Sequence, residues 1–347
     1  YTRDQIVESE LSYLSNYQRV IINSGKISNK GWEISVSGVP VKVKNFEWKT
    51  IFNWSKNNSM VESLPEGIDK IQIGSGVYNV KSYAEVGKPY GAIYAKTFKR
   101  DAEGYILCQL DGSPKEGQDY EYLGCVQADW RGGWNNVFRL GNFSFSVMFD
   151  FQKGGKFFSQ TSIQSSVDGQ SVKSLEGRDA DFFSRKILGE SDEERYGFMR
   201  PQNANTPTAN GQVYPDWGRP KGVVLPNCRY DEDVEGLAGQ QVLGYCTPER
   251  YWMHYTSRDI SRFIYDASYV KLREITVSYD LPKKWLRKTP FQTFRVAAVG
   301  RNIATLFANT PHGLDPQATS TTGNAQGFER GFNLPSATYG FDIKVSF

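Results

Sequence analysis

The sequence predicts an all-β protein whose antiparallel strands form part of a transmembrane β-barrel. Three observations predict it: apolar and polar residues alternate, aromatic residues make up 14% of the 347 residues, and short turns alternate with long loops. A period of two is typical of a strand with one apolar and one polar face. A soluble β-sandwich or propeller also alternates, but apolar faces rich in Phe and Trp favour an outer-membrane barrel.

Three segments show the alternation most clearly. One begins at Phe46 (F-E-W-K-T-I-F-N-W-S-K), another at Asn142 (N-F-S-F-S-V-M-F-D-F-Q), and the third is the final Y-G-F-D-I-K-V-S-F from Tyr339. Each is about as long as the 9–11 residues that a tilted strand needs to cross a bilayer. The polar faces, which include Ser144 and Ser146, suit a water-filled lumen.

Short turns and long loops alternate along the chain. Turns are predicted at Lys44–Asn45, at Gly141–Asn142 and through K-K-W-L-R-K-T-P. Long loops are predicted at about 60–88, 154–262 and 307–333, and the second of these also contains a predicted helix at 180–189. Short turns at one end of the strands and long loops at the other are expected for an outer-membrane barrel, in which the long loops are extracellular.

Two stretches depart from simple alternation. Between Tyr269 and Tyr279 the apolar positions change parity, and a β-bulge near Arg273–Glu274 would reconcile the two halves. Between residues 87 and 130 the parity is unsettled, so G-A-I-Y-A-K-T-F either crosses the membrane or folds above it.

Charge and composition argue against several classes of function. The chain has 41 basic and 38 acidic residues, and a net charge of +3 gives no nucleic-acid footprint. It has no apolar run of about 18 residues, so no transmembrane helix is predicted. It has only two His and neither a G-x-S-x-G nor a P-loop motif. We therefore predict no enzymatic activity; the enzymatic alternative is an outer-membrane hydrolase with its site in the long loop.

The cysteines form two local pairs in sequence, Cys108 with Cys125 and Cys228 with Cys246. No C-x-x-C is present, which argues against a zinc site. Two loop disulfides in an oxidising compartment fit this spacing, and four reduced thiols in packed loops fit it equally well.

The acidic run D-E-D-V-E at 231–235 offers carboxylates to a divalent cation. Its spacing is not that of an EF-hand, however, and a solvated loop is the simpler interpretation. We predict no cofactor.

Aromatic residues recur in the long loop beside Pro, Asn and Gly. Their flat faces and the neighbouring amide groups suit a sugar ring or a peptide, and they suit a protein interface equally well. Loops that pack on one another are the structural alternative. The candidate substrate or partner residues are Tyr214, Trp217, Tyr230, Tyr251 and Trp252.

A set of motifs in order along the chain resembles one family. S-Y-V-K-L-R-E-I-T-V-S-Y-D-L-P (268–282) resembles a hallmark of the SusC/RagA-type TonB-dependent outer-membrane transporters of the Bacteroidetes. Each further stretch alone is weak, but the set covers nearly the whole chain: S-G-K-I-S-N-K-G-W-E-I, G-K-P-Y-G-A-I-Y, V-G-R-N-I-A-T-L, G-L-D-P and L-P-S-A-T-Y-G-F-D-I-K-V-S-F.

The resemblance implies that residues 1–347 are the C-terminal part of one barrel of about 22 strands. The N-terminal plug, the TonB-contacting segment and the early strands would lie outside this chain, which would join the remainder of the barrel in outer-membrane lipid. The final strand resembles the signal that the outer-membrane assembly machinery reads, and its pairing with the first strand would remove an exposed edge. The residues of that signal are Tyr339, Phe341, Ile343, Val345 and Phe347.

The function implied by the resemblance is TonB-dependent import of a large nutrient, an oligosaccharide or an oligopeptide. A SusD-like surface lipoprotein would cap the barrel, and the TonB complex would act through the N-terminal part. A passive or structural barrel, such as a porin or an adhesin, is the alternative. The polar-face residues Asn53, Ser144, Ser146 and Asp150 would contact the plug or the passing solute.

Overall fold

The structure is a computed structural model, and it describes residues 2–3, 6–10, 19–23, 25–110, 112–175, 223–246, 251–311, 313–318, 326–331 and 336–347. In chain order, the strands of this part are β1 (Thr2–Arg3), β2 (Ile6–Glu10), β3 (Arg19–Asn23), β4 (Lys26–Val43), β5 (Phe46–Ser63), β6 (Lys70–Ser75), β7 (Lys81–Glu85), β8 (Ala92–Ala95), β9 (Ile106–Cys108), β10 (Glu121–Cys125), β11 (Trp130–Leu140), β12 (Phe143–Lys153), β13 (Lys156–Ser159), β14 (Val223–Tyr230), β15 (Gln241–Cys246), β16 (Ile264–Asp266), β17 (Tyr269–Asp280), β18 (Thr293–Ala308), β19 (Phe328–Glu329) and β20 (Thr338–Ser346).

The helices of the described residues are short. They are α1 (Gln160–Val167), α2 (Lys283–Leu286), a π-helix at Tyr251–Tyr255, and 3₁₀ helices at Val172–Leu175, Thr256–Arg258 and Ile260–Phe263. Ser159 caps the start of α1, where its hydroxyl accepts a hydrogen bond from the Ser162 amide. Within the described part of the chain, no helix has the length and apolar character needed to cross a membrane.

Eight strands form one antiparallel sheet, in the order β1-β4-β5-β11-β12-β17-β18-β20. β4 and β5 have 18 residues each, enough to cross a bilayer with length to spare. The predicted turns at 44–45 and 141–142 are confirmed, and Gly141 supplies the positive φ (57°) that a tight hairpin turn needs. β20 forms one edge of the sheet, and most of β4 forms the other, because β1 pairs only with Lys26 and Ile27. The sheet is an open portion of a barrel wall.

The strand register lines up apolar side chains in continuous rows across one face of this sheet. One row contains Phe46, Leu140, Phe143, Tyr279, Val296 and Ile343, and the next contains Trp48, Phe138, Phe145, Val277, Ala298 and Phe341. Within the second row the ring of Phe138 stacks on Trp48 at 5.9 Å and on Phe145 at 6.1 Å. We call this side the apolar face.

The opposite side, here called the polar face, carries small and charged residues in matching rows. One row runs from Ser35 through Asn53, Gly133 and Asp150 to Lys271. The predicted alternation is therefore confirmed for all the long strands, and it sorts the residues of neighbouring strands onto the same two faces.

The predicted β-bulge in β17 is confirmed. The pairing of β17 with β12 shifts between Met148 and Phe149, which lie opposite Glu274 and Leu272, so Arg273 is the extra residue. One inserted residue reverses the parity of every later position. The bulge thus keeps both Leu272 and Ile275 on the apolar face.

The long loops contain folded structure of their own. Four strands form a separate sheet, β10-β8-β7-β6. A-I-Y-A (92–95) is its buried strand β8 and does not belong to the eight-stranded sheet. The described part of loop 154–262 holds β13, α1, β14 and β15, which exceeds the single predicted helix. That helix, at 180–189, lies outside the described residues. The loops also have a hydrophobic core, here called the loop cluster. It contains Phe98, Ile106, Cys108, Leu225, Cys228, Val242, Tyr251, Trp252 and Tyr255.

Candidate functional site on the polar face

A buried charged network occupies the polar face of β17 near its start. The Lys271 ammonium group donates hydrogen bonds of 2.6 Å to both carboxylate oxygens of Asp315 and one of 2.9 Å to Gln317. The Lys271 side chain is only 1% exposed. Asp315 belongs to the G-L-D-P motif that follows β18, so the segment after β18 folds back onto the wall.

Arg273 extends the same network towards β12 and β18. Its guanidinium group pairs with Asp150, and it donates hydrogen bonds to Gln317 at 2.8 Å and to Asn302 at 3.4 Å. The Tyr269 hydroxyl donates to Asp150 at 3.2 Å and accepts a 2.5 Å hydrogen bond from Gln317. Three sequence motifs, those around Lys271, Asn302 and Asp315, therefore meet at one place.

An irregular stretch of β18 makes this meeting possible. Residues 302 and 303 both lie opposite Arg273, because Leu272 pairs with Ala304 and Glu274 pairs with Arg301. Asn302 has a φ of 51°, a left-handed conformation that Asn tolerates better than most residues. Its amide oxygen faces Arg273, and its amide nitrogen donates to the Ser336 carbonyl at 3.4 Å.

The network holds the segment after β18 against the sheet. The cations Lys271 and Arg273 face the anions Asp150 and Asp315 within it. The three ammonium protons of Lys271 match the three hydrogen bonds that it donates. Because loss of one partner leaves the other charge buried, such pairs are costly to break and hold their surroundings in one arrangement.

A groove lies beside the network on the same face, with a volume of about 510 Å³. Asp150 belongs to both the groove and the network. A second hollow, of about 260 Å³, shares Ser55 and Arg131 with the groove and is also lined by the loop residue Gln326. The first hollow is lined by Glu33, Ile34, Ser35, Asn53, Trp54, Ser55, Arg131, Gly132, Gly133 and Asp150.

Sequence reasoning identified only part of this groove. It singled out Asn53 and Asp150 from the polar alternation but missed Glu33, Arg131 and Gly133. The available signal was the Gly-Gly pair inside the strand that begins at Trp130, since an interior glycine in a strand marks a bulge or an open space above the backbone.

The structure buries two of the candidate loop aromatics. Tyr251 and Trp252 are each 1% exposed and lie in the loop cluster, with their rings edge to face at 5.1 Å. Their large apolar area is buried against other loop residues, which was the structural alternative. Tyr230 is half-buried and packs against the same cluster. Tyr214 and Trp217 lie outside the described residues.

Neither predicted disulfide is seen, because Cys108, Cys125 and Cys228 form no disulfide in the structure. The register of β14 and β15 explains one of the two: Cys228 lies opposite Val242, four residues before Cys246 on the partner strand. Four residues of strand span about 13 Å, which is further than a disulfide reaches.

The other predicted pair is divided between two sheets. Cys108 lies in β9, which pairs with β14, whereas Cys125 lies in β10, which pairs with β8. The Cys125 thiol donates to the Tyr90 carbonyl and accepts from the Gln127 amide, each at 3.4 Å. Burial raises the pKa of the Cys125 thiol, which keeps it protonated.

The acidic run at 231–235 is engaged with lysines. Asp231 accepts hydrogen bonds from Lys99 (2.9 and 3.0 Å) and Lys115 (2.8 Å), and Lys115 also pairs with Asp233. Burial alone would raise the pKa of Asp231, but the hydrogen bonds from the two lysines outweigh it and lower the pKa to about 2. The carboxylates of Asp231 and Asp233 are thus paired with lysine ammonium groups. The described residues hold no group of three or more His, Cys, Asp or Glu arranged for a metal ion.

The final strand alternates as predicted, with Phe341 opposite Ala298 and Ile343 opposite Val296 in the apolar rows. Phe347 follows β20, and its ring lies 5.3 Å from that of Phe291. The role of this strand in assembly stays a prediction.

Known proteins with similar sequences are receptors of one kind. No family model matches the chain. TonB-dependent receptor P3 of Formosa agariphila is 23% identical over 360 residues, which cover 97% of this chain and 30% of that receptor. TonB-dependent receptor P26 of the same species is 25% identical over 177 residues, 45% of this chain and 18% of that receptor. The chain therefore spans less than a third of the length of these relatives, and neither is named as an enzyme.

Solved structures with the same fold are transporters by name. The structure of the RagAB peptide transporter superposes with a TM-score of 0.59 at 15% identity, over 99% of this chain and 32% of the other. The closed-closed state of the RagAB peptide importer gives a TM-score of 0.57 at 16% identity, over 99% and 32%. The resemblance predicted from the motifs is thus confirmed: the chain is similar in sequence to part of TonB-dependent receptors, and it has the fold of part of the RagAB peptide transporter.

Proposed function

We propose that this chain forms part of the wall of an outer-membrane transporter that imports a large nutrient with energy from the TonB system. The observation that carries the proposal is the division of the eight-stranded sheet into two unlike faces. On one face, large side chains such as Phe143 and Phe341 are mostly exposed. The other face carries a charged network and a groove. An apolar outside fits lipid, and a polar inside fits a lumen.

The partners of this chain follow from its resemblance to the TonB-dependent transporters. Residues 1–347 act as the C-terminal part of one barrel, and its other strands pair with the open edges of β4 and β20. The plug and the TonB-contacting segment belong to the part of the receptor outside this chain. A SusD-like lipoprotein caps the extracellular side, where the long loops, including 154–262, receive it.

The solute of this transporter is an oligosaccharide or an oligopeptide. The fold shared with the RagAB peptide transporter supports import of a molecule of this size class. The final strand, with Phe341 and Phe347 at its apolar positions, carries the assembly signal.

Growth experiments with the complete receptor test energy-coupled import. The receptor gene and the TonB gene are deleted separately, and growth is measured on mixed oligosaccharides and on mixed oligopeptides as the only carbon source. The proposal expects both deletions to abolish growth on the same substrate, with growth on glucose unchanged. Growth that requires the receptor but not TonB would instead identify a passive barrel. Normal growth without the receptor on both substrates would overturn import.

A further inference from the structure

One row across the apolar face alternates tryptophan and lysine. Trp32 of β4 lies opposite Lys56 of β5, and Trp130 of β11 lies opposite Lys153 of β12. The two pairs adjoin in the register of β5 with β11. We call these four residues the outer row, because they lie at the strand ends that lead into the long loops.

The height of the outer row in the wall follows from the lengths of the strands. Ten residues separate Lys56 from Phe46 in β5, and ten separate Lys153 from Phe143 in β12. Ten residues of strand span about 33 Å, or about 25 Å in height at a tilt of about 40°, which matches the apolar band of an outer-membrane barrel. Along this height the apolar face of β5, β11 and β12 carries no charged residue. The two lysines are therefore the first charges at the outer border of the band.

The two faces of the sheet differ in charge at this border. The polar face carries both signs, with Glu33 and Arg131 on either side of β5. The outer row carries cations only. Lys56 and Lys153 are exposed, and neither forms an ion pair within the described residues. An anion would complete the row, because an exposed pair of cations without a counter-ion attracts negative charge.

Two acids near the outer row leave its lysines available. Glu62, further along β5, pairs with Lys26. The carboxylate of Asp129 lies against Gly154, and in the part of the chain that the structure describes it forms no ion pair with Lys153. The positive charge of the row is thus not met by these two groups.

The surroundings of the outer row favour a lipid as the source of the anion. The next row inward is apolar and includes Ile34, Trp54 and Phe151, a surface that acyl chains cover in a membrane. Lys56 and Lys153 lie two strands apart, about 10 Å, so their long flexible side chains can reach one phosphate between them. Indole rings such as that of Trp130 favour the boundary between hydrocarbon and headgroups.

We propose that the outer row binds the phosphate of a lipid in the outer leaflet of the outer membrane, with the acyl chains of that lipid on the apolar rows beneath. Lys56 and Lys153 hold the phosphate, and the two tryptophans flank it. The inference rests on the proposed barrel wall, and it adds a lipid site that nutrient import does not itself require.

The test measures lipid binding by the complete receptor in detergent, without any TonB. Native mass spectrometry follows a titration with phosphorylated lipid A and, separately, with the same lipid A after enzymatic removal of its phosphates. We expect the wild-type receptor to bind the phosphorylated form at least about tenfold more tightly. The double variant Lys56→Gln/Lys153→Gln should lose this preference, whereas Lys56→Arg/Lys153→Arg should keep it, because arginine also carries a positive charge and binds phosphate.

The double variant Lys49→Gln/Lys344→Gln is the matched control. It removes two exposed lysines from the polar face of the same sheet, in β5 and β20, and so changes the net charge by the same amount. This variant should bind both forms of lipid A like the wild type. Heat-dependent migration on gels verifies that all the variants form a folded barrel.

Three results would overturn the inference. Equal binding of the two forms of lipid A by the wild type would remove the phosphate site. A preference that survives in Lys56→Gln/Lys153→Gln, or that is lost equally in the control, would remove the outer row as its place. Displacement of the lipid by an equal concentration of inorganic phosphate would indicate a site for free anions instead. Growth that does not need TonB contradicts only the proposed import, because lipid binding is measured without TonB.

Discussion

The eight-stranded sheet and the loop cluster treat aromatic side chains in opposite ways. In the sheet, Phe143 and Phe341 expose 57% and 86% of their side chains, whereas in the loop cluster Tyr251 and Trp252 expose 1% each. The sheet leaves these side chains exposed, which fits the proposed lipid-facing wall, whereas the loops bury theirs in a core of their own. The comparison teaches that aromatic residues in a sequence indicate an exposed apolar face only where they recur with a period of two.

The loop cluster should depend most strongly on its largest buried side chain. Trp252→Ala leaves a cavity in the cluster and should cost about 3–5 kcal/mol of local stability. The measurement is the rate of protease cleavage in the loops of the detergent-solubilised receptor, which should rise steeply while the barrel stays folded. Trp285→Ala is the control, because Trp285 is 60% exposed in α2. Equal rates for the two variants would contradict the buried cluster.

The charged network should be the corresponding weak point of the sheet. Asp315→Ala leaves Lys271 buried without its carboxylate partner, which should cost about 3–5 kcal/mol. The midpoint of thermal unfolding of the receptor in detergent measures the effect. Arg301→Ala is the control, because Arg301 pairs with Glu274 at the surface and such pairs are worth about 1 kcal/mol or less. An Asp315→Ala midpoint as high as that of the control would show that the network does not hold the wall.

The two faces of one strand should differ in their tolerance of charge. Phe145→Arg places a cation against lipid and should cost about 2–4 kcal/mol near the middle of the bilayer. Ser146→Arg, on the neighbouring residue, points the same group into the lumen and should cost little. The yield of heat-modifiable barrel in the outer membrane compares them. A lower yield for Ser146→Arg than for Phe145→Arg would reverse the assignment of the faces.

The smallest expected effect is a pH dependence of the loops. The pKa of Asp231 falls from 3.8 to about 2 on folding, so this carboxylate stabilises the folded loops by about 2 kcal/mol above its unfolded pKa. That stability is lost as the pH falls from about 4 through about 2. Asp231→Asn should remove this part of the pH dependence of protease cleavage. Glu235→Gln, on an exposed neighbour, should leave it unchanged, and a loss in Glu235→Gln alone would contradict the role of Asp231.

The sequence predicted the parts of the fold that depend on local pattern. Alternation located the long strands, and the parity change before Ile275 located the bulge at Arg273, because side-chain direction follows the backbone period. The turn at Gly141 was equally local. The same pattern identified Asn53 and Asp150 as polar-face residues.

Contacts between distant segments could not be predicted in this way. Asp315 meets Lys271 across 44 residues, and Asp231 meets Lys99 across 132. No local pattern encodes these pairs. The predicted disulfides failed for the same reason, since proximity along the chain did not place Cys228 beside Cys246 in the β14–β15 ladder.

One measurement tests the central claim that the two faces of the sheet meet different solvents. Single cysteines are placed at Phe52 and Asn53 of the complete receptor, in a background without its native cysteines, and the receptor is labelled in the outer membrane. Both positions are exposed, on opposite faces of β5. The account predicts that a small charged thiol reagent labels Asn53→Cys, whereas a lipid-soluble maleimide labels Phe52→Cys. The opposite labelling pattern would contradict the barrel wall described here.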